Sequence, residues 1–350
     1  MNLSIGIVGL PNVGKSSLFN MLTKNQAEAS NYPFCTIEPN VGIVSVPDER
    51  LEKLAKVVNT QKLVPAIVKF VDIAGLVAGA SKGEGLGNKF LANIRECDAI
   101  VEVVRCFKDS NIHHVSGNID PISDIETIKT ELILADIETV EKTINRLEKE
   151  IKKDVKQKSF LEVVLKVKEK LNKSIPIRDI DLTEDEKFLL KELNLLTIKP
   201  HLYVLNTGED GKCENNIKNS IKISVKTEKE LEGMDEKDIK EYLKSIGQDD
   251  RGLNVLIKKA YKLLGLETYF TAGEQEVHAW TIKFGTKAPQ AAGEIHTDFE
   301  KGFIKAETIN WQELVDLGGW ISAREKGKVR LEGKDYIVQD GDVMIFKFSS

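Results

Sequence analysis

Two textures of apolar and polar positions run along this chain. From Leu3 to Val8 the stretch LSIGIV is apolar at nearly every position, the pattern of a strand buried on both faces. After the loop GLPNVGKS, the spacing in SLFNMLTK is helical. Further strands are predicted at VGIVSV, AIVKFVDIAG, DAIVEVVRC, HLYVLN and IKISV. Helical patterns such as PDERLEKLAKVV and GNKFLANIREC lie between them. Repeated strand–helix alternation predicts an α/β fold with a mostly parallel, doubly wound sheet covered on both faces.

One spacing breaks this rhythm. About a hundred residues separate DAIVEVVRC from HLYVLN, far more than a single crossover helix requires. Within that span Ile133, Ile137, Val140, Ile144, Leu147, Ile151 and Val155 recur at steps of four and three, the seam of a helix that packs on another helix. Leu161, Val164 and Leu171 offer the partner row. The insertion therefore reads as an antiparallel helical hairpin, either a self-stabilising element or a docking arm. Lysines outnumber acids between Lys142 and Lys173, so one face is either simply solvated or able to meet RNA phosphate.

After Leu266 the texture changes to short strands and turns: TYFTAG, EVHAWTIKFG, GFIKAETI and DYIVQDGDVMIFKF. They predict a mixed-sheet domain of about eighty residues. The expected organisation is a nucleotide-binding domain from 1–125 and 200–266, a helical coiled coil at 126–199, and a C-terminal domain at 267–350.

Composition narrows the function classes. The 350 residues are 41% hydrophobic, enough for a real core, and 30% charged with a formal net charge of -5, so any nucleic-acid contact needs a local basic face. Four cysteines (Cys35, Cys97, Cys106, Cys213) lack a CxxC pair, and the five histidines form no ligand cluster with them, which argues for a reducing cytoplasm and against structural zinc. The N-terminus lacks the basic flank and cleavage site of a signal peptide, and no apolar run approaches the roughly 18 to 20 residues of a membrane span. The chain reads as a cytoplasmic monomer that meets no membrane.

The chemistry starts at Gly9 to Ser16. GLPNVGKS fits G-x-x-x-x-G-K-[ST], with a strand before it and a helix after it. Main-chain N–H groups of such a loop wrap phosphate oxygens at a helix N-terminus, Gly9 and Gly14 permit the close turn, and Lys15 brings charge to the terminal phosphates. Ser16 offers its hydroxyl to Mg2+, and Asn12, Val13, Gly14, Lys15, Ser16 and Ser17 form the expected nucleotide-contact set of the loop. The motif DIAG follows at a strand end: Asp72 holds Mg2+ through water, and the Gly75 N–H senses the third phosphate. Thr36, in NYPFCTIEPN, is placed to close on Mg2+ when a triphosphate is bound.

Downstream of HLYV, the stretch NTGE stands where a guanine-binding protein has NKxD. The aspartate of NKxD accepts from guanine N1–H and its exocyclic amine, whereas adenine offers an acceptor at N1 and a donor at N6. Here the acid is Glu209, longer by one methylene, and Thr207 replaces the lysine stem that would cover the base. Mismatched hydrogen bonds cost selectivity sharply, which predicts relaxed guanine selection and room for adenine. Asn206, Thr207, Glu209 and Ser224 complete the expected base-side contacts.

Taken together, GLPNVGKS, NYPFCTIEPN, DIAGLVAGASKGEGLGNKF, NTGE, TYFTAG, AAGEIHTDFEKGFI and GKDYIVQDGDVMIF resemble the YchF-type, or Obg-like, ATPases, a branch of the translation-factor class of P-loop GTPase-fold proteins. The resemblance spans essentially the full chain. It implies a G domain interrupted by a helical hairpin, a C-terminal α+β TGS domain of ubiquitin-like (β-grasp) fold, and a preference for ATP over GTP through an NxxE variant satisfied by Asn206 and Glu209. Asn206 would then reach the base edge. Ribosome or RNA association follows by the same analogy. Trp280, Phe299 and Phe303 of the last domain are either base-stacking or core aromatics.

Many relatives of this fold have a water-positioning glutamine after DxxG, where this chain has Leu76. A leucine holds no water, so intrinsic hydrolysis is expected to be slow. The resemblance points to His114 in SNIHHVSGN as the group that orients water or accepts a proton, with His113 as the adjacent alternative. It also places Asn12 where cation-stimulated relatives bind K+; otherwise its amide shapes the loop. Three readings follow: a slow Mg2+-dependent ATPase switch, a nucleotide-regulated ribosome- or RNA-binding module, and an ordinary GTPase.

Overall fold

The computed structural model describes residues 3–24, 40–73, 87–107, 119–151, 157–209, 211–213 and 216–349. The chain order opens with β1 (Ser4–Val8), α1 (Lys15–Lys24), β2 (Val41–Ser45), α2 (Glu49–Val58), β3 (Leu63–Val64), β4 (Ile67–Asp72), α3 (Asn88–Glu96) and β5 (Ala99–Arg105). Next come α4 (Pro121–Glu150), α5 (Lys158–Leu171), α6 (Glu184–Leu190), β6 (His201–Asn206), β7 (Ser220–Ile223), α7 (Val225–Glu230), α8 (Glu236–Ser245) and α9 (Gly252–Leu263). Among the described residues these strands, β3 excepted, form one six-stranded sheet in the order β2-β4-β1-β5-β6-β7.

Every residue of β1 is buried, and the strand pairs in parallel with β4 on one side and β5 on the other. That central place explains its uninterrupted apolar run. The β5–β6 and β6–β7 pairings are also parallel; β2 runs antiparallel at the edge. Alternate residues of β5 serve different layers. Ala99, Val101 and Val103 join the core that includes Leu18 and Leu256, while Ile100 meets Phe90, Ile94 and Ile128 on the other face. Helices therefore cover both faces, as the strand–helix alternation predicts. Among the described residues no helix is long and apolar enough to cross a membrane.

The insertion is helical. Asp120 caps α4 by accepting from the N–H groups of Ile122 and Ser123, and Pro121 fits the first turn, where its missing N–H costs nothing. Along α4, Ile133, Val140, Ile144 and Leu147 pack against Phe160, Val163, Val164, Val167 and Leu171 of α5. Leu147 and Val164 are fully buried, each stabilising the hairpin by about 1.5–3 kcal/mol. The expected seam is present through Leu147, with Ile137 and Ile151 half-buried; Val155 lies outside the described residues. Val163 and Val167 join the partner row beyond the expected Val164 and Leu171. A buried carboxylate interrupts the seam: Asp136 accepts from Leu196 N, Thr197 N and Thr197 Oγ1, all at 2.7 Å, and so fastens α4 to the segment entering β6. Burial pushes its pKa up, and these three bonds hold it back.

The rest of the chain forms β8 (Leu266–Ala272), β9 (Val277–Lys283), α10 (Ala288–Ile295), α11 (Thr297–Lys301), β10 (Phe303–Asn310), α12 (Trp311–Asp316), α13 (Trp320–Glu325), β11 (Arg330–Glu332) and β12 (Asp342–Phe348). Its mixed sheet has the order β11-β10-β12-β8-β9-β3. The last member, β3, comes from the N-terminal part of the chain and pairs in parallel with β9, a strand too short to show in the sequence pattern. Arg50 on α2, oriented by its neighbour Asp48 at 2.7 Å, strengthens this junction by pairing with Asp340 at 2.9 Å, its guanidinium 4.9 Å from the Phe270 ring centroid. The aromatics Trp280 and Phe303 belong to the core on the α10 face, Phe303 buried and Trp280 donating Nε1–H to Thr271. Phe299 stacks on Phe348 at 3.9 Å.

Candidate nucleotide-binding site

The parallel strands of the first sheet end together. Ile7 is in register with Asp72, Arg105 with Asn206, and Asn206 with Ile223, so the loops leaving β1, β4, β5, β6 and β7 emerge along one edge. Crevices at the carboxyl ends of such strands are where this architecture places ligands.

The loop after β1 has the backbone its glycines allow. Gly9 and Gly14 have φ of 148° and 101°; a Cβ on Gly9 would lie 2.5 Å from the Val103 carbonyl oxygen, and one on Gly14 2.5 Å from Asn206 Nδ2. Asn12 also has positive φ, at 64°, a conformation asparagine tolerates. Lys15 opens α1 with its side chain folded back into the loop, where Nζ donates to the Leu10 carbonyl at 2.6 Å. Burial pulls its pKa down to about 8, and the nearby Asp72 carboxylate pulls it partly back. Such an ammonium lacks water and gains strongly from an incoming phosphate.

Ser16 donates its hydroxyl to Asp72 Oδ2 at 3.4 Å, bringing together residues 56 positions apart. A hydroxyl and a buried carboxylate side by side are hard oxygen donors of the kind Mg2+ takes, so the donor set fits that ion.

On the base side, Asn206 is buried and bridges two loops: Nδ2 donates to the Val13 carbonyl at 2.9 Å, and Oδ1 accepts from Val225 N at 3.2 Å. The side chain thus braces the glycine-rich loop after β1. Thr207 is buried, its N–H donating to Ile223 O at 2.9 Å. Glu209 is ion-paired with Lys226, both side chains more than half exposed. The Ser224 hydroxyl accepts from Thr227 N and Thr227 Oγ1 and caps α7. Ser17 and Asn12 line the same cleft of about 1140 Å³ as Asn206, Thr207 and Glu209. That volume suits a nucleotide.

The lining residues that the sequence does not single out include Phe107, Lys226 and Lys229. Phe107 is fixed by Arg105, whose Nε donates to its carbonyl at 3.2 Å and whose guanidinium lies 4.5 Å from its ring centroid. Of the other expected site residues, Thr36, Gly75, Leu76, His113 and His114 lie outside the described residues.

Residues 4–166 match a family model described as "50S ribosome-binding GTPase", and 266–349 match the YchF-GTPase_C model, described as a "protein of unknown function". The chain is 54% identical to the "Ribosome-binding ATPase YchF" of Bacillus subtilis over 365 residues and 51% identical to that of Haemophilus influenzae over 362, with 100% of each chain covered in both cases. The chain belongs to the YchF family. Among solved structures it is similar to the Schizosaccharomyces pombe YchF GTPase, with a TM-score of 0.90 at 40% identity over 99% of this chain and 98% of that one. A Pyrococcus horikoshii GTP-binding protein superposes with a TM-score of 0.61 at 22% identity over 99% and 100% of the chains, a likeness of fold alone. The YchF match bears out the expected P-loop G domain followed by a TGS-type C-terminal domain.

Proposed function

We propose that this chain is a slow, Mg2+-dependent P-loop ATPase whose nucleotide state controls its association with the ribosome. The observation that carries the reading is the placement of Lys15, Ser16, Asp72 and Asn206 at one sheet edge, with Asn206 and the loop residues Asn12, Gly14 and Ser17 lining a cleft of nucleotide size. The names of the full-length relatives, ribosome-binding ATPases, support the activity and the partner. A cytoplasmic location accords with that partner.

Lys15 neutralises the terminal phosphates, and main-chain N–H groups from Asn12 to Ser17 cradle them. Ser16 and Asp72 hold Mg2+, which supplies charge neutralisation between the phosphates when bound. Asn206 keeps the phosphate loop and base loop in register, while Thr207 and Glu209 relax the demand for guanine. Thr36 closes on the metal side, the Gly75 N–H reports the third phosphate, His114 orients the attacking water, and Asn12 adds a K+ site; these four roles rest on the sequence. The same reading divides the chain into the nucleotide domain at 1–125 and 200–266, the coiled coil at 126–199 and the TGS domain at 267–350.

Phosphate release from purified protein tests the catalysis. Turnover of ATP that disappears in Lys15→Ala is expected; tight ATP binding with no turnover in the unaltered chain would reduce it to a nucleotide-regulated binding module.

A further inference from the structure

Two cysteines outside the proposed catalytic set face each other. Cys106, immediately after β5, and Cys213, in the segment between β6 and β7, are 107 positions apart, yet their sulfurs lie 2.6 Å from one another. Both are free thiols, half-buried, and so within reach of a small reagent. Val104, Ile125, Leu205 and Ile217 surround them.

The separation discriminates between chemistries. Two thiolates on one tetrahedral zinc, with Zn–S of 2.3 Å, stand about 3.8 Å apart, whereas a disulfide closes at about 2.05 Å. Among the described residues, no group of three or more His, Cys, Asp or Glu is placed to hold a metal. The pair is therefore poised for a covalent bond, with only a small further approach of the sulfurs.

We propose that Cys106 and Cys213 form a reversible thiol–disulfide modification site, oxidised by a low-molecular-weight disulfide. The thiolate of one cysteine attacks a sulfur of the reagent, forming a mixed disulfide and releasing one small thiol. The second cysteine, as thiolate, attacks the protein-side sulfur, closing the Cys106–Cys213 bond and releasing the second small thiol. Two electrons pass from the protein to the reagent, and the two cysteine protons end on the two released thiols. Burial and the neighbouring Cys213 sulfur push the Cys106 thiol up.

The bond reaches the nucleotide site through the main chain, a consequence that rests on the proposed function. Cys106 N donates to the Asn206 carbonyl at 2.8 Å. Asn206 begins the loop that carries Glu209 and leads to Cys213. A disulfide pins the far end of that loop to the strand already holding its near end. A loop held in one arrangement loses less freedom on binding, so the oxidised protein retains nucleotide longer.

Full-length protein treated with oxidised glutathione under native conditions, then digested with trypsin without reduction, provides the test. The expected product is a linked pair of the peptides beginning at Cys106 and Cys213, separated again by dithiothreitol and missing from Cys106→Ser and Cys213→Ser. Separate glutathione adducts with no link, or links to Cys35 or Cys97 instead, would overturn the site. Release of a fluorescent adenine nucleotide should slow severalfold on oxidation in the unaltered chain and stay unchanged in treated Cys213→Ser. Equal release from oxidised and reduced protein would refute the coupling. A reduced protein that binds no nucleotide would refute the proposed function, and the peptide result would still decide the modification site.

Discussion

The side chain of Asn206 donates to the main-chain carbonyl of Val13 at 2.9 Å, tying the loop after β6 to the loop after β1. The same amide accepts from Val225 N, so one buried residue sets the spacing of three loops. Asn206→Ala leaves the Val13 carbonyl and the Val225 N–H unpaired, at a cost of about 1–3 kcal/mol each where water cannot replace the lost partner. ATP and GTP affinity should fall together, with a lowered melting temperature, in calorimetry and thermal unfolding. Asn206→Asp should bind worse still, because it turns a carboxylate towards the Val13 carbonyl.

Lys15 makes nucleotide binding pH-dependent. Its pKa in the free protein is about 8, and anionic phosphates raise it. Below pH 8 the ammonium is already present. Above it, binding must take up a proton, so affinity should fall by up to tenfold per pH unit until the pKa of the complex is reached. Calorimetry in buffers of different ionisation enthalpy should detect that proton near pH 9. Lys15→Ala should bind weakly at every pH and take up none.

Asp136 locks the root of the helical hairpin. Asp136→Ala strands two buried N–H groups and a hydroxyl and should lower stability in urea unfolding by about 3–5 kcal/mol. Asp136→Asn keeps an acceptor and should cost less. If the alanine variant is as stable as the parent, these bonds do not hold the arm.

Arg50 joins the two sheets. Arg50→Ala removes its pairs with Asp48 and Asp340 and its contact with Phe270, and should cost about 2–4 kcal/mol, since its side chain is largely buried. Limited proteolysis should then cut between Leu264 and Leu266 sooner than in the parent, with β8 to β12 released as a fragment.

Much of this molecule is legible in its sequence where local physics decides. β1 and β5 show as largely apolar runs, β5 interrupted by Glu102, because both faces of each strand are covered, and Gly9 and Gly14 show because no side chain fits at those positions. Pairings made at a distance leave no such mark. β3 is two residues whose partner β9 lies more than two hundred positions away. Phe107 and Lys226 reach the cleft because β5, β6 and β7 end together, which no single window reveals. Asp136 is hidden in the same way: a carboxylate one step before Ile137 reads as a solvated position until Leu196 and Thr197, sixty residues on, are brought against it. The full role of Asn206 was hidden differently, because its motif suggests a base contact while its geometry also gives it to the main chain.

Equilibrium competition among ATP, ADP, GTP and GDP on the purified full-length chain tests the central claim most directly. The account predicts that ATP displaces a bound adenine nucleotide at least about tenfold better than GTP, a difference of about 1.4 kcal/mol. Firm GTP binding with no detectable ATP association would contradict it.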